Sequence, residues 1–531
     1  MYPTPRSHRP LIMGRRGAVG ANHPMATQAG LDILRAGGNA VDAAVAVSLA
    51  LGVCEPMMSG LGGDGFYNVF MAEGAVARVF NGTGPAPRAA APERFHDGIP
   101  LTGAVSASVP GKLAGLGAMH TAHGSMPWGA LAEPAIRLAR DGFAVTYGYL
   151  NFTADNMARL TADPRSAGCF LDKRLADIVW QPDLAGTLEE IAVDGPEAFY
   201  RGRLAARLAR GIAEAGGLVT ADDLAECTAE VTAPIAVSYR GWEVRQTPPN
   251  STGFTFLQML KIVERFDLAS LSPTDRVHVL VEAKKLAFRD RERFGGDPRF
   301  VDIPLERLLS DAYAAELAAG IDMGRAAEIS LTEEPVGGDT TYFCVIDEAG
   351  NAVSGIQSLN SAYGAAVTAG DTGVLLNNRM AYWHLAKGHA NRLRPGQRVR
   401  HTMNAPMVFK DGKLWGVLGT PGADNQVQVN LQVLTAMLDF GADPQTALEL
   451  PRWTSSQPGQ GANYPHDGDG KLTIESDFGA DVLHTLEQRG HRLTRVGHLG
   501  GPCAMQAIRV MANGVRAAAS DPRRDGWAGA F

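Results

Sequence analysis

The 531-residue chain of 56.2 kDa is long enough for about three or four domains, or for fewer large ones. With 45% hydrophobic and 20% charged residues its balance is globular, which excludes a mainly disordered, collagenous or membrane-embedded chain. Basic residues number 49 and acidic ones 56, a formal charge of −7; no nucleic-acid partner is expected, because phosphate-binding surfaces are normally net basic.

The opening stretch, MYPTPRSHRPLIMGRRGAVG, holds basic residues but no apolar segment of secretory length. The apolar run 40–53 is interrupted by Asp42 and Ser48 and is short for a membrane span. A cytoplasmic enzyme without a membrane partner is therefore expected. Residues 25–36 read as a helix, Gly37, Gly38 and Asn39 as its stop and turn, and 40–53 as a second helix. Gly60, Gly62, Gly63 and Gly65 then precede an apolar, strand-like run. Their GLGGDG spacing does not follow a first strand in a strand-turn-helix unit, so close chain packing is the better reading than phosphate binding.

Helix-like patterns fill 102–140, 204–215 and 276–293, so the middle of the chain reads as largely helical. After Glu333 the pattern changes. TTYFCVIDEAGNAVSGIQSLN contains two short β-rich runs around DEAGN, with Gly350 at the reversal point. Further strands are predicted at 407–409, 414–418, 472–474, 491–496 and 504–510, with a helix at 427–438. Strands, helix and strands in this order predict an α+β layered architecture.

The five cysteines, Cys54, Cys169, Cys227, Cys344 and Cys503, are scattered without CxxC pairing, which suggests neither a zinc site nor a disulfide framework. His23, His384, His389 and His401 form no recognisable metal motif with nearby acidic residues. No metal or organic cofactor is expected.

Thr340 and Thr341 follow the glycine-rich EEPVGGD segment and open the predicted hairpin. Taken alone, a threonine pair there is a β-favouring turn exit. Were the Asp339–Thr340 bond cut, however, Thr340 would carry both a hydroxyl nucleophile and a free α-amine. That amine titrates near 7.7–8.0, where a lysine amine lies near 10.4, so it is a base matched to neutral pH beside an otherwise weak nucleophile.

From its start to its last residue the chain resembles the gamma-glutamyltransferase family of self-cleaving, amino-terminal-nucleophile (Ntn) hydrolases. The stretches that carry the resemblance include HPMATQAGLDILRAGGNAVDAAVAVSLALGVCEPMMSGLGGDGF, SVPGKLAGL, EAKKLAFRDRERFGGDPRF, GDTTYFCVIDEAGNAVSGIQSLNSAYG, GVLLNNRM, APMVFKDGKLWGVLGTPGADNQ and ASDPR. The resemblance implies an αββα Ntn-hydrolase sandwich with extensive helical segments. It also implies a precursor cut into a larger chain, 1–339, and a smaller one, 340–531, which together form one composite fold. Whether two such heterodimers associate is left open. Thr340 would attack the carbonyl of Asp339 during maturation and later a substrate amide, forming an acyl-enzyme that water or an amine acceptor resolves.

The family pattern assigns the second, activating hydroxyl to Ser358 and a substrate-orienting amide to Asn360. The paired oxyanion N–H donors fall on Gly422 and Ala423, where alanine retains the donor of the family's second glycine. The acyl-recognition positions depart from the pattern. Thr83 stands nearest the family's carboxylate-binding arginine, Arg379 replaces the glutamine of NNQM, and Tyr382 occupies the acidic position for an α-amine. The paired serines become His401 and Thr402. These changes point to an amidohydrolase acting on a small-molecule amide with a non-glutamyl acyl group, one with a carboxylate but no α-amino group among the candidates. A true gamma-glutamyltransferase and an inactive binding protein retaining the fold are the alternatives.

Overall fold

The structure, a computed structural model, describes residues 7–328, 339–466 and 468–531. The sequence readings of the first six residues and of the polar segment 333–338 lie outside them. Two seven-stranded antiparallel sheets form the centre. In chain positions, the first runs Trp527–Ala530, Ala18–Ala21, Asp339–Ile346, Ala352–Asn360, Asp64–Met71, Val76–Gly82 and Glu230–Thr232. The second runs Ile12–Gly14, Arg516–Ser520, Gln506–Val510, Lys413–Gly419, Met407–Lys410, Trp242–Gln246 and Ile235–Tyr239.

Side chains alternate between the two faces of a strand, and both faces of these sheets are covered. Tyr342, Cys344, Ile346 and Ile356 point into a core shared with Met407, Phe409, Val417 and Ile508 of the second sheet. Their neighbours Phe343, Val345 and Val353 face the other way, into a core with the helices Pro24–Arg35, Ala40–Cys54, Lys112–His123 and Trp128–Asp141. On the far side, Val244, Val408 and Leu418 pack under the helices Gly253–Val263, Pro273–Phe294 and Asn425–Asp439. The result is the expected α+β architecture, a helix–sheet–sheet–helix sandwich.

The helix Ala40–Cys54 is buried along its whole length, as its run of small apolar residues on every face requires. Its start is fixed by a capping box: the Asn39 side chain accepts from the Val41 and Asp42 amides, and Asp42 accepts from the Asn39 amide. No helix among the described residues is long and apolar enough to cross a membrane.

The middle of the chain is largely helical, as expected, but the reading missed a hairpin within it formed by Ile235–Tyr239 and Trp242–Gln246. Its two-residue turn has Arg240 and Gly241 at positive φ, 49° and 76°, the geometry that matches strand twist. The sequence signal was weak because arginine replaces the usual Asn or Asp. Shortening Ile356, fully buried between the sheets, to alanine is expected to cost about 2–5 kcal/mol. Urea unfolding measures this, and a loss well under about 1 kcal/mol would mean that the intersheet core is not what holds the sandwich together.

Candidate active site

The strand Ala352–Asn360 lies between Asp339–Ile346 and Asp64–Met71, and its register builds the site. Ser358 stands opposite Asp64, Asn360 opposite Asp339, and Gln357 opposite Thr341, with an irregular step around Thr340. Such steps re-aim side chains beside active sites. Here the Thr340 hydroxyl donates to Ser358 Oγ at 3.3 Å, while that oxygen also accepts the Asn360 amide at 2.8 Å. Thr340 is buried, only 2% exposed. Thr341, on the opposite face, donates to Glu55 Oε2 at 2.6 Å. The glycine cluster makes this approach possible: a Cβ on Gly63 would lie 2.4 Å from the Ser358 carbonyl oxygen.

A cluster of buried polar side chains adjoins the two hydroxyls. Asn360, held at φ 86°, accepts Arg379 Nη1 at 3.0 Å and donates to Asn463 Oδ1 at 2.7 Å and to the Asn378 carbonyl at 3.2 Å. Arg379 Nε lies 3.4 Å from Asp64 Oδ2, an ion pair without hydrogen-bond alignment, and Nη2 has no hydrogen-bond partner among the described residues. The same Asp64 oxygen is 3.3 Å from His401 Nε2, and Oδ1 accepts the Gly84 amide at 2.8 Å. Asp64, Arg379 and His401 are all essentially fully buried. Burial pulls the Arg379 guanidinium below its usual range, with Asp64 pulling back. Burial, helped by Arg379, pushes His401 down to about 4, so its imidazole is neutral at pH 7.

The other predicted residues surround this pocket differently. Thr83 sits one residue before Gly84, but its hydroxyl donates to Asn81 Oδ1 at 2.7 Å and accepts from Asn250 at 3.2 Å, so its side chain is spent on that network. Thr402 follows His401 and is buried, its carbonyl taking Asn404 Nδ2 at 2.6 Å. Tyr382 ends the short turn Arg379–Tyr382 and shares an apolar cluster with Ala423. Its hydroxyl has no hydrogen-bond partner among the described residues, and burial raises it above the ordinary phenol range. Gly422 and Ala423, at φ 118° and 49°, line a cleft of about 620 Å³.

Sequence reasoning passed over Asp64, whose signal was a lone carboxylate within a glycine cluster just before a strand, and Asn463, which carried none. It also saw no metal motif joining the histidines to acidic residues; the fold brings such residues together from distant positions, His401 with Asp64, and the stacked His384 and His389 with Glu292. The ligand-type atoms of Glu292, His384 and His389 lie within 4.8 Å of one another, as do those of His278, Glu282 and His491. Glu292 is, however, already paired with Arg291 and Arg400, whose positive charges oppose a cation there. All five cysteines are free.

Removing the Asp64 carboxylate leaves a buried guanidinium uncompensated. Asp64→Ala is expected to lose about 3–5 kcal/mol, with Asp64→Ala/Arg379→Leu recovering part of it; urea midpoints of the two variants test the pair. His401 adds a pH effect. An unfolded histidine takes up its proton near 6.5, the folded one near 4, so between these values the unfolded state binds more protons and stability falls with falling pH. Unfolding curves from pH 7 to 4 should show a shallower fall in His401→Gln than in the parent.

A family model described as Gamma-glutamyltranspeptidase matches residues 26–531. The chain is 40% identical to the glutathione hydrolase-like YwrD proenzyme of Bacillus subtilis strain 168, covering 97% of this chain and 99% of that one. It is 37% identical to the acylase ACY 1 proenzyme of Pseudomonas sp. strain SE83, over 97% and 93%. Its fold superposes on a cephalosporin acylase from Bacillus halodurans with a TM-score of 0.91 at 33% identity, covering 100% and 98% of the two chains. With a threonine–serine hydroxyl pair at its centre and proenzymes as full-length relatives, the chain belongs to the gamma-glutamyltranspeptidase family and is an autoprocessing Ntn-type amidohydrolase.

Proposed function

We propose that the protein matures by cleavage before Thr340 and then hydrolyses amides whose acyl group carries a distal carboxylate and no α-amine. In maturation, Thr340 Oγ1 attacks the Asp339 carbonyl, the C–N bond gives way to an ester, and water hydrolyses it. One subunit then ends at Asp339 and the other begins with the free amine of Thr340. In turnover that amine takes the hydroxyl proton as the oxygen attacks the substrate carbonyl. The Gly422 and Ala423 amides receive the oxyanion, and Ser358 supports the nucleophile through its contact with Thr340.

The observation that carries the acyl assignment is Arg379, a buried guanidinium fixed by Asn360 and Asp64 with Nη2 unclaimed among the described residues. A guanidinium fork is suited to a carboxylate. An α-ammonium lacks a matching acid. Tyr382 stands at the acidic position, and Asp64 is already engaged by Gly84, Arg379 and His401. Among the relatives, the names containing acylase point the same way. A gamma-glutamyl substrate would have to win Asp64 from Arg379 and His401.

Two measurements test this reading. Freshly purified protein should separate into two chains, the smaller beginning at Thr340, whereas Thr340→Ala should stay at 56.2 kDa. Glutaryl-p-nitroanilide should be cleaved with a kcat/KM at least about tenfold above that for gamma-glutamyl-p-nitroanilide, with little stimulation by glycylglycine. Arg379→Gln should lower the glutaryl value about 10- to 100-fold, the worth of a charge-assisted contact. The opposite preference, with strong acceptor stimulation, would make the enzyme a gamma-glutamyltransferase.

A further inference from the structure

Among the described residues, two groups of ligand-type side chains lie outside the hydroxyl pair and its oxyanion turn. In the first, Glu292 is held between the Arg291 and Arg400 guanidiniums. The second, His278, Glu282 and His491, offers two imidazoles and a carboxylate whose ligand-type atoms all lie within 4.8 Å of one another. All three residues are buried. The 213 residues between His278 and His491 hide the set from any spacing rule.

Local structure brings them to one point. His278 and Glu282 stand four residues apart on the helix Pro273–Phe294, the spacing that puts two side chains on one face. His491 follows the helix Ala480–Gln488, beyond Gly490 at φ 93°. The Gly490 amide donates to the Glu487 carbonyl at 2.9 Å and the His491 amide to the Leu486 carbonyl at 3.1 Å, a paired closure that a left-handed glycine permits. The His491 ring then stands at 78° to that of His278, with Nε2 2.8 Å from His278 Nδ1.

The hydrogen bonds prepare these two nitrogens as ligands. His278 Nε2 lies 2.8 Å from the Asp322 carbonyl, which can only accept. Nε2 therefore carries the ring proton and Nδ1 presents a lone pair, the orientation a carbonyl commonly imposes on a metal-binding histidine. His491 Nε2 donates to that lone pair. A cation between the rings would take a lone pair from each, with the His491 proton moving to its Nδ1, so that no net proton is lost. Burial keeps both rings neutral at pH 7, pushing His491 down to about 3. Glu282 accepts Lys285 Nζ at Oε1, 2.8 Å, and the Ala327 amide at Oε2, 3.1 Å, which leaves lone pairs on a group with about four acceptor sites. Two positive charges stand nearby. Lys285 is also tied to the Ala327 carbonyl at 2.8 Å, and Arg489 is paired with Asp275 at 2.6 Å.

We propose that His278, Glu282 and His491 bind one divalent transition-metal ion, with Zn2+ the best match to two imidazoles and a carboxylate. Under the cleavage proposed above, two of the ligands precede the cut and the third follows it, so the ion fastens one subunit to the other. Hard, oxygen-seeking cations such as Mg2+ do not suit this donor set.

Full-length protein, stripped with EDTA and desalted, tests the site whether or not the chain is cut. Calorimetric titration with Zn2+ should show one ion per chain, bound equally well in excess Mg2+. His491→Gln and Glu282→Gln should each weaken binding at least about tenfold, while His384→Gln, in the other cluster, should not. No binding by the parent, unchanged affinity in either variant, or loss in His384→Gln instead overturns the proposal. Saturating Zn2+ should also raise the thermal midpoint of the parent, because a ligand of the folded state stabilises it, and should leave that of His491→Gln unmoved; no rise in the parent overturns the fastening role. Co2+ added to the parent needs no variant. Visible absorption well above that of the hydrated ion supports the site, and a spectrum no stronger than that of the hydrated ion overturns it.

Discussion

The carboxylate of Asp64 is the point on which the site turns. It offsets the buried charge of Arg379, orients the neutral imidazole of His401 and takes the Gly84 amide, all from a position in register with Ser358. Two oxygens thus join the loop after Val76–Gly82, the segment around His401 and the turn after Asn378 to the central strand. A charge pair this far from water persists only when geometry and hydrogen bonding repay its desolvation. Register supplies that geometry, because a slip of one residue would send Asp64 and Ser358 to the wrong faces.

What the sequence made legible was local. The helices at 25–36 and 40–53 were readable from caps, glycine stops and periodicity. The hairpin through Thr340 and Ser358 was readable because alternation and the Gly350 turn fall within twenty or so residues. Thr340, Ser358, Asn360 and Arg379 belong to that hairpin and the turn behind it, and the structure brings them together. Asp64 and Asn463 reach the same pocket from opposite ends of the chain, and only the packed sheets determine that meeting. Arg516–Ser520 and Trp527–Ala530 escaped detection for another reason. Their alanines and glycines have little strand preference of their own, yet the space demands them: a Cβ on Gly529 would come 2.5 Å from Leu31.

The placement of Thr83 and Arg379 shows how such a pocket can change its positive group without losing its polarity. Position 83 faces Asn81 and Asn250 and offers only a hydroxyl. The guanidinium instead comes from the turn beside Asn360 and is steadied from the opposite side by Asp64. The carboxylate of Asp64 is thereby employed in holding the arginine.

The order of strands in the first sheet has a consequence for persistence after maturation. The strand Asp339–Ile346, which under the proposed cleavage would start at Thr340, is flanked on one side by Ala18–Ala21, and beyond its hairpin partner by Asp64–Met71. With that cut, two segments from before it would clasp a hairpin from after it. The break would touch only the end of the strand, where Asp339 pairs with Asn360, so the pieces would stay interleaved and separate only by unfolding. Once they do, re-forming the sheet becomes an encounter between two molecules in place of one chain closing on itself. The uncut precursor is therefore the form that assembles readily, and the durability of the cut form is governed by the height of its unfolding barrier more than by an equilibrium.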